Sequence, residues 1–390
     1  MSVWIIEPRD PLIVRDGRPF DPVPGARAVS LPFPFPSTTT GGVRTREGLD
    51  PAGRFEPDVV SRVKQVSVRG PLLVELDPID GDVTDWLMPA PADALLLNLD
   101  PPDPRASVLE PLVPLELPPG AATELPQGLA PVGMPRPDLR KPSGNAPRYW
   151  RWRFFEQWLL DPRGREVTLA ELGHNGPILE ARMHVGIKSD TRTADEERGA
   201  LFQTRGLEFA WAPAHRGLAA MRQLALAVAT EATNLKPGIG PLGGERRLVF
   251  WRRSRHVLPP IPDAIKQGIL VQRHCRLILL TPAHFRVGWK PLRVLEPRQG
   301  AVPSLRAAAL HRPKVVSGWD FEGTWPKPTR LLVPAGTVFF LKLEGSSQAV
   351  ENWIDTVWMY CVSDEEQDRR DGFGLAALGL WDGAFHRMEV

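Results

Sequence analysis

Cysteine is scarce. The 390 residues carry two, Cys275 and Cys361, far apart and in no CxxC pair. Two buried, reduced thiols are therefore expected rather than a disulfide framework. Long apolar runs are missing too. No stretch approaches the roughly 18 uninterrupted apolar residues of a membrane span, and Asp10, Arg15, Asp16 and Arg18 interrupt the segment where a secretory leader would run. The expected compartment is the cytoplasm. An excess of one charge is also lacking: 48 basic residues face 46 acidic ones, for a net charge of +2. That excludes a basic tail or a uniformly positive surface and leaves room for a local basic groove.

Catalytic signatures are likewise missing. The chain has no Walker A, GxSxG or HExxH sequence. The closing glycines, Gly372, Gly374 and Gly379, have the wrong spacing for a dinucleotide loop and stand too near the end for the acidic residue that should follow about 20 positions on. His274-Cys275 with His284 lacks partners at metal spacing. No cofactor, metal site or catalytic residue is expected.

What the chain has in plenty is proline and glycine, 43 and 34 residues, beside 42% hydrophobic content. With that much apolar content these residues mark ordered turns and long connections rather than disorder. The length suits two domains, 1–267 and 268–390. Residues 3–7 read as a buried first strand. Prolines then forbid helix or inner strand through Pro36, and Ser37 stands where an N-cap belongs, ahead of a short helix through Arg46 that Gly48 ends. Gly41 and Gly42 inside it imply close approach to its backbone.

Residues 63–69 and 72–76 look like paired strands around Gly70-Pro71, and 93–99 like another. Residues 100–147 form a proline-dense surface excursion. A helix over 148–160 would align Trp150, Phe154 and Trp158. Strands are expected at 180–187 and 200–211, and an amphipathic helix at 218–233 with Leu218, Met221, Ala225 and Val228 on one stripe. In the second domain, strands at 272–280 and 338–343 precede a helix at 348–360. The pattern is α+β.

Three stretches carry candidate chemistry, each with a plainer reading beside it. The Asp16-Gly17-Arg18-Pro19-Phe20 loop and the helix start at Ser37 and Thr38 would offer amides and a positive dipole end to a phosphate, with Arg15, Arg18, Arg44 and Arg46 for charge and Phe20 for stacking; on local grounds alone an ordinary capped helix with solvated arginines is the commoner arrangement. Between residues 182 and 205, two strands flank a polar excursion with Lys188, Arg192 and Arg198, either a reaching hairpin or a solvated loop. Leu242-Gly243-Gly244-Glu245-Arg246-Arg247 permits close backbone approach or a tight turn. His184 is a conceivable general base for RNA cleavage, with no second acid–base residue tied to it by spacing.

Taken in order, these segments resemble the third-subunit family of type III-B (Cmr) CRISPR effectors, in the RAMP superfamily. The matching stretches begin with Ile6-Glu7-Pro8, the Asp16–Phe20 loop and Leu31-Pro32-Phe33-Pro34-Phe35-Pro36-Ser37-Thr38. They continue through His184-Val185-Gly186-Ile187, Leu242–Arg246, Leu280-Thr281-Pro282-Ala283, Gly318-Trp319-Asp320 and Val333-Pro334-Ala335-Gly336, and close with Gly372-Phe373-Gly374-Leu375 and Gly379-Leu380-Trp381. The resemblance implies two ferredoxin-like (RRM-type) domains with long Pro/Gly-rich insertions. It also implies a non-catalytic RNA-binding subunit that caps the 5′ repeat-derived tag of the CRISPR RNA. Its neighbours would be a Cas10-type large subunit and the first backbone RAMP subunit. The residues then expected at RNA are Arg15, Arg18, Phe20, Ser37, Thr38, Arg44, His184, Lys188, Arg192, Arg246, Gly372, Gly374 and Gly379. An alternative is a RAMP endoribonuclease that processes precursor CRISPR RNA, with His184 or His311 as base; another is a scaffold that binds only protein.

Overall fold

Strand β1 (Ser2–Pro8) lies inside an antiparallel sheet, between β3 (Arg222–Thr230) and β4 (Leu248–Arg253). Outside β3 comes β2 (Val68–Leu76), so the inner order is β4-β1-β3-β2. Further strands, Val83–Pro89, Tyr149–Arg151 and Gly173–His174, extend the β2 edge, and Gly238–Pro241 extends the β4 edge. These coordinates are a computed structural model that describes residues 1–15, 30–55, 57–118, 120–188, 190–194, 201–211, 221–320 and 325–388.

A strand alternates its side chains between two faces, and here both faces are buried. Val3, Ile5, Leu72, Val74, Ala225, Ala227 and Ala229 enter one core. Trp4, Ile6, Leu73, Leu224, Leu226, Val228 and Trp251 enter a second on the opposite face. Helix α1 (Pro36–Glu47) covers that second face, with Val43 in the core.

The C-terminal half contributes a four-stranded antiparallel sheet of β5 (His274–Leu279), β6 (Val302–Ala309), β7 (Val338–Glu344) and β8 (Ala376–Leu380), in the order β6-β7-β5-β8. Its side chains share the first core with the N-terminal sheet, and helices α2 (Trp152–Leu160), α3 (Asp263–Gln272) and α4 (Ser347–Val357) join them there. One apolar body thus runs between the two sheets. A fully buried ion pair crosses it. Arg276 on β5 meets Asp93 at 2.6 Å and donates to the carbonyls of Leu380 and Trp158, while the Trp158 indole donates to Asp93 at 2.9 Å.

Several expectations from sequence need correction. Residues 218–233 are not an amphipathic helix; their described part forms β3, a central strand whose double burial makes the run Leu-Ala-Leu-Ala-Val-Ala apolar throughout. The stretch 148–160 divides into strand Tyr149–Arg151 and helix α2, so Phe155 and Trp158, not Phe154, fill the core. Residues 63–76 are not a strand pair. Val60–Lys64 is helical, and β2 continues through Gly70-Pro71 because the pairing with β3 shifts between Ala227 and Ala229. Helix α1 starts two residues early: Phe35 is the N-cap, without a side-chain cap bond, Pro36 fills the first turn, and Ser37 lies inside. The expected α4 face of Val350, Trp353, Ile354 and Val357 is buried as read. No described helix is long and apolar enough to cross a membrane.

Candidate nucleic-acid interface

Helix α1 and the glycine-rich stretch meet at the junction of the two halves. Thr40 Oγ1 donates to Asp371 O at 2.7 Å. The Arg44 guanidinium pairs with the Asp371 carboxylate at 2.6 Å and donates to Val66 O at 3.0 Å. Arg44 is thereby a strut between α1, the approach to β2 and the loop before β8. Gly372 has φ +93°, and a Cβ there would stand 2.6 Å from Gly70 O; only glycine fits.

The amides of this loop are already engaged. Gly372 N–H donates to Arg369 O, Phe373 N–H to Asp368 O and Gly374 N–H to Pro282 O. Thr281 Oγ1 donates to Gly372 O and accepts from Leu375 N–H. Gly379 lies on β8, against Arg276 and Leu159, apart from the loop. The three glycines therefore pack protein on protein, while Ser37 and Thr38 remain half-exposed on the first turn of α1.

A second group forms around Leu12–Arg15. Leu12 pairs with Leu207 on one side, and Ile13 with Gly244 on the other. The close approach allowed by Gly243 and Gly244 is made by this chain itself, since a Cβ on Gly243 would meet Ile13 O at 2.5 Å. Arg246 is exposed on that turn at φ 50°, and Arg15 is exposed near Ser30. Gly42 packs on Leu242 and Trp251, so α1 connects this group to the first. Arg18 and Phe20 lie outside the described residues.

A third group is a protruding ribbon. Ile178–Val185 pairs with Leu201–Glu208. Its root is tied down where Leu207 pairs with Leu12 and where the Ser30 hydroxyl donates to Arg205 O. His184 stacks on Phe202, with ring centroids 5.2 Å apart, and its Nε2 stands 2.7 Å from Thr204 Oγ1. On the other face Met183, Val185 and Ile187 are 63%, 54% and 62% exposed, an apolar row open to a partner. Lys188 and Arg192 follow at the tip, where Arg192 N–H closes a turn onto Lys188 O.

Sequence reading missed a cleft of about 560 Å³ between the halves. Arg69 enters from β2, its guanidinium 3.6 Å above the Tyr360 ring, and Arg293, Arg298, Arg369 and Arg370 enter from the other half, against Glu231 and Glu366. Burial, reinforced by Arg369 and Arg298, lowers the Arg293 pKa; burial and then Arg298 lower that of Arg369. Both remain cations at neutral pH. Arg298 pairs with Glu296 and Arg370 with Glu366, and Arg69 and Arg369 donate to backbone carbonyls, but five arginines against two lining carboxylates leave a surplus of positive charge that favours an anion between them. Their positions are scattered through the sequence, and only the closeness of Arg369-Arg370 to the glycine-rich stretch hinted at the cleft.

The sequence model of one protein family, described as "CRISPR-associated protein (Cas_Cmr3)", matches residues 4–381. No curated protein matches the chain. Solved structures are also similar to it, among them two of type III-B Cmr-beta complexes. One, from the type III-B Cmr-beta complex bound to cognate target RNA and AMPPnP (state 1), is 13% identical, covers 91% of this chain and 88% of its own, and has a TM-score of 0.45. The other, from Cmr-beta bound to cognate target RNA, is 14% identical over 87% of this chain and 86% of its own, with a TM-score of 0.46.

Proposed function

Since this chain belongs to the Cas_Cmr3 family of CRISPR-associated proteins, the third-subunit family of type III-B Cmr complexes, we propose that it holds the 5′ repeat-derived tag of the CRISPR RNA and cuts nothing itself. In this reading it is a cytoplasmic subunit of two ferredoxin-like domains that links a Cas10-type large subunit to the first backbone subunit. The inner strand orders β4-β1-β3-β2 and β6-β7-β5-β8 fit two βαββαβ units, the first lacking a second helix between β3 and β4 among the described residues.

The observation that carries the proposal is the arginine cleft. A chain of net charge +2 binds a polyanion only where its cations converge, and five arginines converge beside the glycine-rich loop. The ribbon adds support: apolar side chains and a cationic tip suit bases splayed out of a single strand. Arg15, Ser37, Thr38, Lys188, Arg192 and Arg246 are assigned as direct contacts. Arg44, Gly372, Gly374 and Gly379 shape the surface behind them.

His184, stacked on Phe202 and bonded to a threonine hydroxyl, serves as a stacking platform in this reading rather than as a base. Incubation of the purified chain with labelled repeat RNA in metal-free buffer tests this directly. No cleavage is expected, and cleavage abolished by His184→Ala or His311→Ala would replace the proposal with an endoribonuclease.

A further inference from the structure

The outer strand of the ribbon, Ile178–Val185, pairs with Leu201–Glu208 along one edge and, among the described residues, with no strand along the other. An unpaired edge presents a row of amides and carbonyls to any extended chain of fitting register, and proteins guard such edges with proline, a bulge or a cover. Elsewhere in this molecule the guards are present. Gly238–Pro241, at the edge of the large sheet, ends in proline. Strand β6 carries Pro303 and takes Ala130 against its outer side. A second ribbon, Lys314–Asp320 with Trp325–Leu332, has Pro326 and Pro328 in one strand and a register shift between Val316 and Gly318. The strand 178–185 has no proline and no glycine, and its pairing runs without a shift. It is a long, regular, unguarded edge.

Side chains alternate between its two faces. Leu179, Ala181, Met183 and Val185 lie exposed on one. Glu180 and Arg182 lie half-exposed on the other, 3.0 Å apart, opposite the uncharged Thr204 and Gly206 of the inner strand. This order fits an antiparallel copy of itself. With Ala181 at the centre, Glu180 stands opposite Arg182 of the copy, Arg182 opposite Glu180, and Leu179 opposite Met183 in both directions. Each of these cross-strand pairs is attractive. Moving the centre by one residue, to Glu180 or to Arg182, sets like charges face to face, so the charges select one register. In that register the two apolar rows lie side by side and cover each other's flanks.

We infer that this edge pairs with a second copy of the chain, forming a twofold-symmetric four-stranded sheet whose register Glu180 and Arg182 hold. A contact of this kind uses the same patch on both partners and closes on itself, so it gives a dimer and no fibre. A single pair of strands lies at the small end of interface sizes, and the dimer is therefore reversible. It covers the ribbon of the free chain, and whatever engages the ribbon in an effector particle displaces the second copy. The inference concerns the chain outside a particle and does not rest on the function proposed above.

Sedimentation velocity of the purified full chain, free of RNA and over a concentration series, is the test. A shift from monomer to dimer is expected as concentration rises. Glu180→Arg and Arg182→Glu should each weaken the dimer at least tenfold, because each sets like charges opposite at both symmetry-related positions. Both changes in one chain should restore it to within threefold. An equimolar mixture of the two single variants should dimerise where neither does alone, since one strand then carries only acids at these positions and the other only bases. Cysteines read the register separately. Under mild oxidation Ala181→Cys meets its own copy and should form a covalent dimer. Val185→Cys, also exposed on the same row, would stand roughly 26 Å from its copy and should not. The unaltered chain, with its own two cysteines, is the blank, and melting curves verify that the variants fold.

A chain that stays monomeric throughout the series, or one whose association neither charge reversal weakens, would overturn the inference. So would a mixture that gains nothing over its two components, or Val185→Cys linking as fast as Ala181→Cys. A monomeric free chain whose 178–185 amides gain protection from hydrogen exchange only inside the particle would overturn it too and give the edge to another subunit. Each of these failures leaves the RNA-binding proposal standing.

Discussion

Arg276 is among the largest fully buried side chains, and each polar contact it makes joins parts of the chain distant in sequence; its partner Asp93 lies 183 positions away. A buried ion pair repays its desolvation only while both partners are present. Arg276→Ala strands the Asp93 carboxylate and should cost about 3–5 kcal/mol in a denaturant melt. Replacing both partners with apolar residues of similar volume, as in Arg276→Met with Asp93→Leu, should recover most of it. A double variant as unstable as the single one would mean that the carbonyl contacts of Arg276, not the pair, set its worth.

Glu75 makes a related case with a pH signature. Burial alone would raise its pKa, but the His174 ring 3.6 Å away and the bidentate Arg151, at 2.7 Å to each oxygen, outweigh burial and bring it to about 2. A depressed carboxylate stabilises the fold above its unfolded value near 4.5 and loses that contribution as pH falls toward 2, in all about 3 kcal/mol. Asp85, raised by burial, works the other way and trims the effect. Acid melts should therefore steepen between pH 4.5 and 2, and Glu75→Gln should flatten that window while lowering stability at neutral pH. Equal acid slopes in both proteins would remove Glu75 from the account.

Among the elements, the ribbon at residues 178–208 is the clearest case of structure built for something outside the chain. Its apolar row adds nothing to the protein's own core, so Met183→Thr, Val185→Thr and Ile187→Thr together should shift the melt of the isolated chain by no more than about 0.5 kcal/mol. The same triple variant should sharply reduce retention of this subunit in purified effector particles. Normal retention with normal RNA protection would show that nothing covers the row. The ribbon's two strands were legible because turn-rich polar residues separate two β-prone runs. Helix α4 was legible because its buried face repeats at i, i+3, i+4 and i+7. Strand β3 was not: six consecutive apolar residues carry no period until the Leu/Ala alternation is set against two cores, and leucine and alanine are also strong helix formers. The N-cap was misread by two residues because proline in the first turn replaced the expected serine cap.

At the scale of the whole molecule, the candidate sites occupy the seams. The glycine-rich loop before β8 threads between the two sheets, the arginine cleft opens beside it, and Arg44 and Thr40 of α1 lock the loop in place. Sequence reading found the loop and the helix, since glycines, prolines and a helix start are local signals. It could not find the arginine cleft, because Arg69, Arg293 and Arg369 become neighbours only after both sheets have packed. Arg293 is the informative probe, since among the described residues it makes no ion pair that the fold needs. Arg293→Ala should leave the melt unchanged within about 0.5 kcal/mol. It should also reduce the slope of log affinity against log salt for tag-bearing RNA by about 0.7, the value for one single-strand phosphate contact. Lys266→Ala, on α3 and paired with Glu351 and Asp355 of α4, is the control and should leave the slope unchanged. If both variants shift the slope alike, the interaction is a diffuse charge effect and the cleft has no privileged place on the RNA path; if neither does, the strand runs elsewhere on the chain.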